Sequence, residues 1–280
     1  MIEKNWDSRW SNVWFQPLLL GMASLYLYLN SFTLSNLPYL RRGDQTFFWE
    51  YALRMLQGEH VYRDFFQFTP PGSDLFYLAL FRIFGPKIWV TDLAIIILGV
   101  AICRVCFEAA SQIMDRSWAV LSAALYLVFV YGRILDATHH WFGLFAVVCA
   151  IRILLPERTV LRVASAGVLL GVASFFTQTS GIAGLLGLFS ALIWEHFCRN
   201  KAWRSIIKLQ IILAMSFVLA WGAASAYFVP SQVGKGFGIS GLSTRYTTWP
   251  THPRCFHSGQ VQDRPGPAQF NLFLSSLSRY

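Results

Sequence analysis

The sequence predicts an all-α fold, a polytopic transmembrane helical bundle of about seven spans with juxtamembrane amphipathic helices in its first outer loop. Two observations predict it. Hydrophobic residues make up 55% of the 280-residue chain and charged residues only 13%, where a soluble domain carries about 25% charged residues. A single core of this size cannot hide so much apolar surface, whereas a bilayer accepts it as helix exterior. The apolar residues also fall into separate long runs, and in hydrocarbon such runs must satisfy their backbone groups internally, so helix is their expected state. The net charge of +9 does not point to nucleic acid, because the basic residues are dispersed between apolar runs instead of lining one face. That pattern belongs to loops held on the cytoplasmic side.

The first run, about Trp14 to Leu34, is too long for a signal-peptide core and no A-x-A site follows it, so it reads as an uncleaved span. The further spans are Ile88–Phe107, Ser117–Ile134, Trp141–Leu155, Val160–Phe176, Gly181–Phe197 and Ile206–Val229. Several fall short of the ~20 residues that cross a bilayer, a deficit that tilting or local thinning covers. Between the first two spans lies a long loop, 35–87, with surface helices near Thr46–Gln57 and Ser73–Phe84. Its richness in Phe, Trp and Tyr argues against disorder, and loops of this length are usually functional or disordered.

Charge decides whether Ser73–Phe84 spans. If it lies along the surface, Lys4 and Arg9, then Arg104 and Arg116, then Arg152, Arg158 and Arg162, then Arg199, Lys201, Arg204 and Lys208 all fall on the cytoplasmic side. If it spans, the last and densest group falls outside, against the positive-inside rule. Arg82 in a short apolar stretch also suits an interfacial helix. The expected topology is an integral protein of the plasma (inner) membrane, N-terminus cytoplasmic, with the loop 35–87 on the outer face beside the turns near Asp136–His140 and Gln178–Ser180.

Residue by residue, the polar groups admit plain readings. Asp44 just before a helical pattern reads as an N-cap or as a carboxylate facing a site at the membrane surface. Asp64 and Asp74 read as solvated loop charges or caps, and His139-His140 as interfacial residues beside Trp141. Arg41-Arg42 read as contacts to lipid headgroups, and Asp92 sits near the outer end of its span. Cys103 and Cys106 form a C-x-x-C inside an apolar run, where small buried hydrophobes are expected; redox or metal chemistry needs a polar, accessible setting. The odd cysteine count gives no disulfide framework. With no D-x-D in the loop and no clustered His/Cys spacing, no metal and no cofactor is expected.

The order of features along the loop carries more. It runs Asp44, an aromatic helix ending near Gly58, Tyr62-Arg63-Asp64, Pro70-Pro71-Gly72, and an amphipathic helix closing at Phe84-Gly85. Asp136 follows the third span, and small-residue Gly167–Gly171 leads to Thr177-Gln178-Thr179. This ordered set, spread over about Trp14 to Phe197, resembles the polytopic glycosyltransferases of the GT-C fold, in particular the glycosyltransferase-39 and dolichyl-phosphate-mannose protein mannosyltransferase-like group. The chain departs from that pattern at Gln45, where many relatives have Glu, and at Thr69, where many carry Lys before the Pro-Pro.

The resemblance implies transfer of a hexose or pentose from a polyprenyl-phosphate-linked sugar to a hydroxyl of a glycan, lipid or protein acceptor at the outer face. It implies Asp44 as general base, Asp136 orienting acceptor or sugar, and Arg63, His139, His140, Arg41 and Arg42 as contacts to the phosphate. Two rivals stay open: a transporter or lipid flippase, which would place ionisable residues near the bilayer midplane, and a non-catalytic subunit of an envelope-polysaccharide assembly complex. The carboxylates fall in outer loops and the spans are nearly free of charge, which favours surface chemistry. By organisation, 1–229 form the transmembrane glycosyltransferase-like module. The stretch 230–280 is polar and rich in Gly, Pro and Ser, and is expected to be an irregular tail, truncated or read out of frame.

Overall fold

The computed structural model describes residues 7–32, 43–199, 202–226 and 228, with side chains for 15–32, 43–198, 202–226 and 228. The chain divides at residue 236 into two units, and the described residues all belong to the first. The expectations for Lys4, Arg41, Arg42, Lys201 and the tail 230–280 lie outside the described residues.

Among the described residues the fold is all-helical. The helices are α1 (Asp7–Ser31), α2 (Asp44–Leu56), α3 (Gly72–Phe84), α4 (Trp89–Ala110), α5 (Arg116–Phe129), α6 (His139–Leu154), α7 (Val160–Phe176), α8 (Gln178–Arg199) and α9 (Trp203–Ala226). Three of them are long and apolar enough to cross a membrane, at Trp89–Ala110, Gln178–Cys198 and Trp203–Ala226, and they mark a membrane protein. α6 and α7 are apolar but shorter. The exposed faces carry large apolar side chains, such as Leu161, Trp194, Phe197 and Leu219, an arrangement that lipid tolerates and water does not.

α2 and α3, of 13 residues each, reach about 20 Å at 1.5 Å per residue, well short of a ~30 Å hydrocarbon core. They pack on each other through Trp49 edge-on to Phe81 at 5.8 Å. The turn between them is closed by Arg54, which pairs with Glu59 at 2.6 Å and lies 4.4 Å over the Phe65 ring. Gly58 in that turn sits at φ +95, a conformation that glycine adopts without strain.

The third expected span differs from the structure. α5 stops at Phe129, and a 3-10 turn follows at Tyr131–Arg133. The cause is Tyr131, fully buried, whose hydroxyl donates to the Ile95 carbonyl at 2.7 Å and whose ring meets Trp141 edge-on at 4.8 Å. Turning that ring inward from the helix end breaks the α-helical period.

Two clusters form the core, one gathering α1 to α6 and the other α6 to α9. α7 lies against α9 through Gly167 and Gly171. A Cβ on Gly167 would stand 2.6 Å from the Leu213 carbonyl, and one on Gly171 would stand 2.7 Å from the Phe217 carbonyl. This is the small-xxx-small seam that lets membrane helices approach closely.

Polar groups gather at the two ends of the bundle. At one end α2, α4, α6 and α8 begin. At the other, Glu108 near the end of α4 pairs with Arg152 of α6 at 2.9 Å, and Arg158 before α7 pairs with Glu195 of α8 at 2.9 Å.

Candidate functional site

The site is built where α2 and α6 start, on a buried polar frame. Gln45 is fully buried beside Asp44, and its Nε2 donates to the Tyr77 hydroxyl at 3.0 Å and to the Thr91 carbonyl at 3.4 Å. The Tyr77 hydroxyl donates in turn to the Ala137 carbonyl at 2.8 Å. One amide and one phenol therefore tie the first turns of α2 and α4, the middle of α3 and the segment before α6 together. Each bond also fixes a neighbour: Gln45 follows Asp44, and Ala137 follows Asp136. An amide suits this position, since it must donate to both a hydroxyl and a carbonyl. An ionised carboxylate donates to neither.

On this frame Asp44, His139 and His140 meet, with ligand-capable atoms all within 4.8 Å of one another. Asp44 is half-buried, His139 buried and His140 exposed. Gly43 occupies the N-cap position and Asp44 is the first helical residue, so the plain capping reading of Asp44 does not hold and its carboxylate faces the histidines. The His139 ring lies edge-on to Phe48 at 5.3 Å and against the His140 ring at 3.8 Å. Its backbone is held from the far side, where the Thr177 hydroxyl donates to the His139 carbonyl at 2.8 Å. That bond brings the start of α8 beside the start of α6.

Asp136 joins the group electrostatically. Burial raises its carboxyl above the usual range; hydrogen bonds with Thr138 and Trp141 and the charge of His140 work against this, and the charge of Asp44 adds to it. The Thr138 hydroxyl donates to Asp136 Oδ1 at 3.3 Å.

The remaining expected residues lie in other contacts. Arg63 is committed to Asp64 at 2.8 Å and reaches His60 at 3.1 Å. The Arg63 hydrogen bond and the His60 N–H hold Asp64 at about 2, which matches a solvated loop charge. Arg41 and Arg42 lie outside the described residues. Asp74 is not a solvated charge: it is fully buried, with no hydrogen-bond partner on either oxygen among the described residues. Burial pushes it up to about 8, and the Gln67 amide, engaged with the Thr69 hydroxyl at 2.9 Å, pulls the other way by less.

Sequence reasoning missed Gln45 and Tyr77 as the frame and the grouping of Asp44 with both histidines. A polar residue inside an aromatic helix carries no spacing signal, and the histidines follow Asp44 only after α3, α4 and α5. A cavity of about 550 Å³ opens at the far end of α2, lined by Met55, Val61, Leu75 and Leu78 with His60 and Arg82. It lies about 16 Å along the α2 axis from Asp44, apart from the polar site. Compared with family models, curated proteins and solved structures, the chain finds no match in any of the three.

Proposed function

We propose that the protein is a membrane glycosyltransferase that moves a sugar from a polyprenyl-phosphate donor to an acceptor hydroxyl. The observation that carries the reading is the meeting of Asp44, Asp136, His139 and His140 at one end of an apolar bundle. In this reading α1 and α4 to α9 are the seven spans, α2 and α3 lie at the interface, and the site faces outward. The arginine-rich opposite end lies in the cytoplasm, as positive-inside charge bias requires.

Asp44 takes the proton of the acceptor hydroxyl as its oxygen bonds to the anomeric carbon. The bond from that carbon to the phosphate oxygen breaks, and the electron pair leaves with the phosphate. Asp136, held neutral more readily by burial, orients acceptor or sugar by hydrogen bonding. His139 and His140 contact the phosphate. Two helix N-termini, of α2 and α6, meet there with α8 starting alongside, and their free N–H groups and dipoles favour an anion. Arg63 reaches phosphate only by sharing Asp64, and the phosphate role expected of Arg41 and Arg42 falls on residues outside those described.

The test is glycosyl transfer by the full chain in nanodiscs, with a panel of radiolabelled polyprenyl-phosphate sugars, wild type beside Asp44→Asn. Transfer by the wild type with a loss of ~10²–10⁴-fold in the variant is expected, the range that a positioned base contributes. Equal transfer by both removes Asp44 from its role. No transfer from any donor removes the enzyme class.

A further inference from the structure

We propose that Asp44, His139 and His140 form a binding site for one divalent transition-metal ion, zinc by preference. The inference concerns ion binding and stands or falls independently of sugar transfer.

The first ground is geometry. A carboxylate oxygen and two imidazole nitrogens come within 4.8 Å of one another. Ligands about 2.0–2.1 Å from a common zinc ion lie about 3.3 Å apart in a tetrahedron. Closing the set therefore takes an approach of about 1.5 Å, which half-buried Asp44 and exposed His140 can share. His139 provides the fixed point, held by the Phe48 ring and by the Thr177 bond to its carbonyl.

The second ground is an orphaned nitrogen. His139 is only 6% exposed and its Nδ1 has no hydrogen-bond partner among the described residues. A buried polar atom left without a partner carries a desolvation cost of about 1–3 kcal/mol. The neighbouring buried hydroxyls of Tyr77, Tyr131 and Thr177 all reach carbonyls. A buried imidazole in this cluster thus has a ring nitrogen to spare for an ion.

The donor set selects the chemistry. Two nitrogens and one oxygen suit zinc, cobalt or nickel and not calcium or magnesium, which take oxygen shells. Three protein ligands leave zinc a fourth position for water or a substrate oxygen, and exposed His140 lies on the side from which an ion enters. The helix N-termini that meet here disfavour a bare cation, so the ion depends on the Asp44 charge, with Asp136 close enough to interact with both Asp44 and His140. Asp44 has two oxygens, one for the ion and one for a proton.

The experiment uses the full chain, purified in detergent and stripped with chelator. Zinc is titrated calorimetrically, and cobalt is added as a spectroscopic stand-in. The wild type is expected to bind one ion per chain, to show visible cobalt bands without a thiolate charge-transfer band, and to melt at a higher temperature with zinc. His140→Ala is expected to weaken binding at least about tenfold, the lower end of what even supporting residues of a metal site cost, and Asp44→Asn to weaken it further. Because His140 is exposed, its variant keeps the metal-free melting temperature. His196→Ala, on a different helix end, leaves binding unchanged. Wild-type chain that binds no ion, or cobalt spectra and zinc affinity indifferent to His140→Ala and Asp44→Asn, overturns the site.

Discussion

Asp74 sits in the first turn of α3 with its carboxyl fully buried and both oxygens unpartnered among the described residues. Such a group prefers its proton, because burial penalises the charged form. Its folded value of about 8 stands above the ordinary 3.8, so the folded state binds the proton more tightly than the unfolded chain. Its contribution to stability is therefore complete below about pH 4. It falls progressively as pH rises toward about 8 and is gone above that. Asp74→Asn keeps the shape and removes the titration. The variant is expected to flatten the fall in melting temperature between pH 5 and 8, followed by tryptophan fluorescence in detergent, and to out-melt the wild type near pH 9; an unchanged pH profile counts against a neutral Asp74. At the polar site, Asp44, Asp136, His139 and His140 were each legible as candidates, because each stands next to a turn or a helix start, whereas their grouping was not. Asp74 was not, since an acid two residues after Pro71-Gly72 has the appearance of a solvated cap. Nothing in the local sequence shows that α3 presses that turn against the end of α7, where a Cβ on Gly72 would stand 2.8 Å from the Phe175 carbonyl.

Among the helices, the α7–α9 seam sets two glycines against backbone carbonyls. Gly171→Leu cannot be absorbed by a side-chain rotation, because the obstacle is the Phe217 carbonyl and the Ala220 Cβ. Overpacking of this kind costs about 1–3 kcal/mol or more. A lower melting temperature is expected, with Gly187→Leu as the control, since nothing lies within 4 Å of a Cβ there. Equal melting of the two variants counts against the seam. Apolar periodicity placed α2, α3, α7, α8 and α9 close to their observed bounds, because run length and flanking polar residues set those ends. It overran α5, because the Tyr131 side chain and not hydropathy ends that helix.

The whole bundle is polarised. One end carries Asp44, Asp136, His139 and His140, and the opposite end holds a cavity of about 670 Å³ lined by Arg116, Arg152 and Arg162 with Glu108. Single cysteines at Phe66 and at Arg158, in a variant with its native cysteines replaced, are expected to react oppositely with a membrane-impermeant maleimide in intact cells. Residue 66 labels from outside and residue 158 only after lysis. The reverse pattern inverts the orientation, and labelling of both from outside breaks the seven-span arrangement.

The bond from Tyr77 to the Ala137 carbonyl also has a meaning in time. Synthesis delivers Gln45 and Tyr77 long before Ala137, and the Thr177 clasp on His139 arrives later still. Until the segment ahead of α6 has been made, the phenol lacks the Ala137 carbonyl and the polar frame between α2 and α3 is incomplete. The polar centre is thus a late product of biogenesis, completed only when the sixth helix is in place and the turn into the eighth has closed over it.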